Sequence, residues 1–183
     1  MAPWMQFFKT LMDNAVPPEL DSAVEDMEEI AERDKSIHWK IKAISAKITY
    51  RIFSKYAQTK YLDEGTPEMA FNNYFQSTFA EMLLESHLQL MFKKKTNFVG
   101  SKTLNFVIKF VTASCKIERT MEKLKPFMEN ILYETVIPIM LVSHRDMSLF
   151  QEDPVEYIRK CEDLIETIYM PKHTCVDLLQ YVC

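Results

Sequence analysis

Glycine is almost missing from this chain, with only Gly65 and Gly100 among 183 residues. Tight β-hairpins and phosphate-cradling loops both lean on glycine's access to left-handed backbone, so sandwiches, barrels and nucleotide folds are disfavoured. No apolar run approaches the roughly 18–20 residues that a bilayer crossing needs. The opening Met1-Ala2-Pro3 lacks the charged and apolar regions of a secretion signal. Four cysteines (Cys115, Cys161, Cys175, Cys183) form no C-x-x-C pair and no metal spacing with histidine. They fall mostly in apolar stretches, as small core residues of a reducing compartment do. The expectation is a soluble, intracellular protein without a disulfide framework.

What is present is helical periodicity, on a hydrophobic content of 48%. A first helix is predicted over 3–14, with Trp4, Phe7, Phe8, Leu11 and Met12 on one apolar face and Val16-Pro17-Pro18 ending it. A second runs from Ile37 to about Gln58, with Ile37, Ile41, Ile44, Ile48 and Ile52 as its apolar stripe. Thr66 and Pro67 open a third, over 67–92, as N-cap and first helical residue. Ser101 is the expected cap of a fourth helix, which buries Leu104, Val107, Ile108, Val111 and Cys115. A fifth spans 124–142, where Pro126 fits the first turn and Pro138 must bend the helix or open its ladder. After a loop over 143–152, Asp153, Pro154 and Glu156 form a helix start: an N-cap, a proline at N1 and a capping-box glutamate. That sixth helix is expected to bury Ile158, Cys161, Ile165 and Ile168 and to stop at Pro171, with a further helix from about His173.

Charge is unevenly placed. Between Glu19 and Asp34, eight acids face the single base Arg33, so this segment carries −7 of a net −4 and the remainder is +3. Residues 18–34 are expected to form an acidic loop, read either as a solvated linker or as a segment that receives basic partners. Glu25, Asp26, Glu28, Glu29 and Glu32 are its candidate contacts for basic partners, acting through a screening length of about 8 Å.

No catalytic set assembles. His144-Arg145-Asp146 spells a kinase tripeptide without the asparagine, glycine-rich loop or D-F-G that the chemistry needs, and reads as a polar turn. His38, His87, His144 and His173 fall in no zinc-binding arrangement. Lys93-Lys94-Lys95 suits a helix C-terminus better than nucleic acid. The expectation is a non-enzymatic protein with no cofactor and no metal, touching neither nucleic acid nor membrane.

Six helices and the start of a seventh, joined by short turns, suggest an all-α chain folded as an α-solenoid of antiparallel pairs, with a helical bundle as the alternative. Three stretches add a resemblance. "WMQFFKTLMDNAVP" from Trp4, "HWKIKAISAKITYRIFSKYA" from His38 and "LKPFMENILYETVIPIMLVSHRDMSLFQEDPVEYIR" from Leu124 resemble, in order and spacing, the importin 7/8 branch of the karyopherin-β nuclear transport receptors. Exportins of the cellular-apoptosis-susceptibility type share the D-P-x-E-Y-I-R element.

The resemblance implies a HEAT-repeat fragment of about three repeats over 1–183, truncated at both ends, from a receptor five to six times longer. It implies exposed apolar end faces and a shuttling existence between cytoplasm, nuclear pore and nucleus. The implied partners are the Ran GTPase, Phe-Gly nucleoporins and basic cargo such as ribosomal proteins or histones. By alternation, helices three and five would be the inner helices, which makes Asn72, Asn73, Gln76, Glu81, Glu85, Glu129 and Glu134 candidate inner-surface residues. The rival readings are an exportin of the same superfamily and a helical-repeat scaffold that never meets Ran.

Overall fold

The computed structural model describes residues 2–24, 26–58, 62–142, 144–162 and 171–182. Among them every extended element is a helix, apart from one isolated antiparallel bridge between Ser22 and Asn97. In chain order these are α1 (Ala2–Asp13), α2 (Pro18–Asp21), α3 (Met27–Lys35), α4 (Ile37–Tyr56), α5 (Pro67–Phe75) and α6 (Glu81–Lys93). They continue with α7 (Ser101–Cys115), α8 (Glu118–Leu124), α9 (Met128–Asn130), α10 (Ile137–Met140), α11 (His144–Glu152), α12 (Pro154–Glu162) and α13 (Pro171–Val182).

A π turn over Gln76–Ala80 fuses α5 and α6 into one rod, capped by Thr66, which accepts from Met69 N at 3.3 Å. The run from α8 to α10 is likewise continuous, through a 3₁₀ turn at Lys125–Phe127 and a π turn at Ile131–Val136. It begins at Glu118, six residues before the expected start, so Pro126 sits inside the run and is absorbed by the 3₁₀ turn. Pro138 lacks the N–H that would bond back one turn, and the wider π turn immediately precedes it.

These rods build two layers. α4, α7 and α13 lie side by side in one; α1, the α5–α6 rod and the α8–α10 run form the other. Each helix of the second layer packs on one of the first, giving three helix pairs. α7 is the hub: Leu104, Phe106, Val107, Ile108, Phe110 and Val111 are all buried between its neighbours. Polar residues on this helix bond internally or across a helix contact: Thr112 Oγ1 donates to Ile108 O at 2.9 Å, and Thr174 donates to the Asn105 side chain.

The first half of the isoleucine stripe of α4 faces outward, contrary to expectation, while Ile48 and Ile52 are half-buried and Ile52 packs on the core. Ile37 and Ile44 are exposed, while Trp39, Lys42, Ala43, Ala46, Thr49 and Phe53 form the buried face. That face is also spaced for a helix, and its alanines let α4 lie closely against α7. Lys42 is buried because its ammonium finishes α1, donating to the carbonyls of Met12 and of Asn14 (2.6 Å). Burial, with Lys93 nearby, pushes its pKa down to about 8. On α1, Met5 and Met12 turn inward, whereas Trp4 and Phe7 of the expected face are exposed.

The acidic stretch expected as a loop contains two helices, α2 and α3, and ties onto the α6–α7 connection. Asp21 pairs with Lys93 at 2.6 Å and its carbonyl accepts from Phe98 N at 3.0 Å. Asp34 Oδ1 accepts from Ser101 N at 2.8 Å, so this carboxylate from a distant segment, not Ser101, finishes the start of α7. Gly100 is required here for space: an added Cβ would lie 2.9 Å from Asp34 Oδ1 and 3.2 Å from Trp39 Cβ. Gly65 has the opposite reason, a φ of +80° in open space.

The expected loop over 143–152 is instead helical from His144, and Pro171 opens α13 where it was expected to end the sixth helix. Asp153 caps α12, its Oδ1 accepting from Glu156 N at 2.9 Å. The capping box is only half made, since the Glu156 carboxylate pairs with Arg159 at 3.2 Å. Ile158 and Cys161 are exposed instead of buried, and Ile165, Ile168 and Cys183 lie outside the described residues.

Candidate functional site

Two rows of side chains on α6, faced by a wall from α8 and the 3₁₀ turn after it, shape the clearest concavity of the second layer. Leu84, Leu88 and Phe92 recur every four residues and supply an apolar floor. Glu81, Glu85 and Gln89 recur at the same interval and form one rim. The opposite wall comes from Lys123 at the end of α8 and Phe127 in the 3₁₀ turn around Pro126. Together they enclose a groove of about 300 Å³, room for one or two side chains. Phe92 and Phe127 close one end, their ring centroids 6.2 Å apart. Phe127 remains 44% exposed, so the aromatic wall is open to an incoming group.

Charge is divided across the mouth. Glu81 reaches Arg119 at 3.5 Å and Lys123 at 3.7 Å, long pairs between exposed side chains. Such pairs stabilise by about 0–1 kcal/mol and exchange readily with solvent. Glu85 is exposed and has no ion-pair partner among the described residues.

The structure therefore brings two of the expected acids, Glu81 and Glu85, to one groove. It does not bring the others. Glu134 lies farther along the layer, paired with Lys95 at 2.8 Å, and Glu129 is an exposed residue of α9. Asn72 is buried, its amide closing the end of α4 by donating to Tyr56 O at 2.6 Å. Gln76 does the same for Ala57 O at 2.7 Å, so both are structural and only Asn73 is exposed.

The acidic segment is largely committed to its own chain. Asp26 caps α3 by accepting from Glu29 N at 2.9 Å. Glu29 pairs with the buried Arg33, whose guanidinium also donates to Ser22 O at 2.6 Å. Glu32 pairs with Lys35 at 2.8 Å, which holds its carboxyl below the usual range. Glu28 is exposed, and Glu25 lies outside the described residues.

The groove was partly legible beforehand. The rows Leu84-Leu88-Phe92 and Glu81-Glu85-Gln89 are visible in the sequence, but nothing local announces that Phe127 and Lys123 face them. The site offers an apolar slot with charged rims and no nucleophile–base set. Among the described residues, no group of three or more His, Cys, Asp and Glu side chains is placed to hold a metal, and no helix is long and apolar enough to cross a membrane.

Two layers of paired helices carry this groove, and among the described residues it holds no nucleophile–base set. The Cse1 family profile matches residues 1–180 of this chain. The chain belongs to the Cse1 family of importin-β-type transport receptors. It is 29% identical over 178 residues to the importin beta-like SAD2 homolog of Arabidopsis thaliana, covering 96% of this chain and 16% of that protein. It is 27% identical over 180 residues to importin-8 of Homo sapiens, covering 98% and 17%. With nonsense-mediated mRNA decay protein 5 of Saccharomyces cerevisiae it shares 26% over 184 residues, covering 97% and 17%. The chain thus spans about one sixth of the length of these relatives. No solved structure matches it. Importins are transport receptors and not enzymes, and the non-enzymatic reading of this chain stands on that relationship.

Proposed function

We propose that this Cse1-family chain works as part of a nuclear import receptor, holding basic cargo proteins on the layer made by α1, α5–α6 and α8–α10. The observation that carries this reading is the family match over residues 1–180, together with a helix-pair array whose second layer presents the groove. In this reading the receptor shuttles between cytoplasm and nucleus, meets Phe-Gly nucleoporins in the pore, and releases cargo when Ran–GTP binds. Release is a population shift: Ran–GTP and cargo favour different arrangements of one solenoid, so each weakens the other.

The acids of 18–34 contribute less to cargo capture than their number suggests, because most have partners within the chain. Glu28, together with Glu81 and Glu85 at the groove, supports this reading better.

The test is to titrate Ran, loaded with GTP or GDP, into the protein carrying a bound core-histone dimer. Histone release by Ran–GTP and not by Ran–GDP is the expected result. Ran–GTP that tightens the histone complex would mark an exportin. Absence of any nucleotide-dependent effect would remove the transport reading and leave a scaffold.

A further inference from the structure

We propose that the groove between α6 and α8 takes one apolar side chain of a cargo segment, with a neighbouring lysine or arginine held between the Glu81 and Glu85 carboxylates. This deepens the cargo-binding reading and rests on it. The floor is apolar: Leu84 and Leu88 are buried at its base, and the rings of Phe92 and Phe127 form an end wall. An anchor that fills this slot gains from a surface already shaped for it, and Phe127 is the part still open to be covered.

The charges select the flank of that anchor. Glu81 and Glu85 stand one helical turn apart, about 6 Å between their Cβ atoms, a spacing that one ammonium or guanidinium bridges. Lys123 shows where such a cation sits. It reaches from the opposite wall to Glu81 at 3.7 Å, yet its side chain is 59% exposed. It is a loosely held internal competitor, and Glu85 is the carboxylate it leaves without a partner among the described residues. A cargo cation therefore gains Glu85 outright and displaces Lys123 into water at little cost.

This arrangement makes opposite predictions for two charged residues lining the same groove. Glu85→Gln removes the unshared carboxylate and weakens binding about fivefold, while Lys123→Gln removes the groove-lining one of Glu81's two internal partners, leaving Arg119 at 3.5 Å, and tightens it about threefold. Phe127→Ser opens the aromatic wall and weakens binding about tenfold. Each of these side chains is exposed, so the variants retain the fold, which circular dichroism checks.

The probe is a short fluorescent peptide with a central phenylalanine between two lysines, titrated against the protein by anisotropy. A companion peptide with glutamates in place of the lysines should bind far more weakly. Indifference to Glu85→Gln, weakening by Lys123→Gln, or equal binding of an uncharged Phe-Gly peptide would each overturn the proposal.

A core-histone dimer titrated against the same variants separates this idea from the receptor reading. Histone binding that ignores all three changes, with no peptide binding, would sink the groove and leave the receptor standing. Peptide binding in the expected pattern without histone binding would keep the groove and count against histone-type cargo.

Discussion

The His87 imidazole is fully buried, stacked on the Phe110 ring at 3.8 Å and nearly parallel to it. Its Nδ1 lies 2.7 Å from the Leu83 carbonyl, which can only accept, so the proton is on Nδ1 and Nε2 faces the Thr49 hydroxyl at 3.3 Å unprotonated. Burial pushes the pKa down to about 4, against the opposing effects of the Leu83 carbonyl and Asp13. Between pH 4 and the unfolded value of about 6.5, the unfolded chain holds a proton that the folded chain does not. Stability is therefore full above that window and falls as pH drops through it, by about 3 kcal/mol for this group. Urea unfolding at pH 7 and pH 4.5 should show His87→Gln losing less on acidification than the unsubstituted protein. An equal loss in both would mean that carboxylates alone govern the acid response.

At the scale of elements, the start of α7 depends on a side chain 67 residues away. The Asp34 carboxylate accepts from Ser101 N and places negative charge at the positive end of a 15-residue helix. Asp34→Ala should cost about 1–2 kcal/mol, whereas Asp34→Asn keeps an acceptor and loses only a few tenths to about 1 kcal/mol of charge–dipole interaction. Amide exchange at the first turn of α7 should rise with Asp34→Ala before the rest of the helix responds. Unchanged exchange there would show that the cap does not hold the helix end.

This cap also marks what the sequence could not announce. Local signals were dependable: Thr66-Pro67 and Asp153-Pro154 start helices where their chemistry says, and Leu104, Val107, Ile108 and Val111 of α7 are buried as spaced, with Cys115 at its end half-buried. Long-range choices were not. α4 has two helically spaced faces, and the one that pairs small residues (Ala43, Ser45, Ala46) with Trp39 and Phe53 is buried against its neighbours, leaving Ile37, Ile41 and Ile44 outside. The stretch 18–34 carried local helix signals, the Asp26 cap and the i, i+4 pair Glu29–Arg33, that its charge obscured, while its tie to Lys93 and the pairing of Asp146 on α11 with Lys172 depend on distant segments. The groove shared both conditions: its α6 side was written in the sequence, and its α8 side depended on how Pro126 turns the chain.

Over the whole molecule, besides those on the second layer (Tyr74, Phe127, Tyr133, Ile137), exposed apolar side chains lie at the two ends of the helix array. Trp4, Phe7, Ile37 and Ile44 mark the amino-terminal pair, and Leu141, Phe150, Val155 and Ile158 mark the carboxy-terminal region. Stacked repeats bury such faces against their neighbours, and the relatives are about six times longer than this chain. Alone, the chain has unlike apolar faces, and unlike faces associate head to tail without closing. Light scattering across a concentration series should therefore show growing mass with no plateau at a dimer. Ile44→Lys blocks one face and Ile158→Lys the other, so each variant by itself should remain monomeric. Mixed together they retain one intact face each, which should yield a 1:1 complex that grows no further. A closed dimer of the unsubstituted chain, insensitive to either lysine, would place self-association on a different surface.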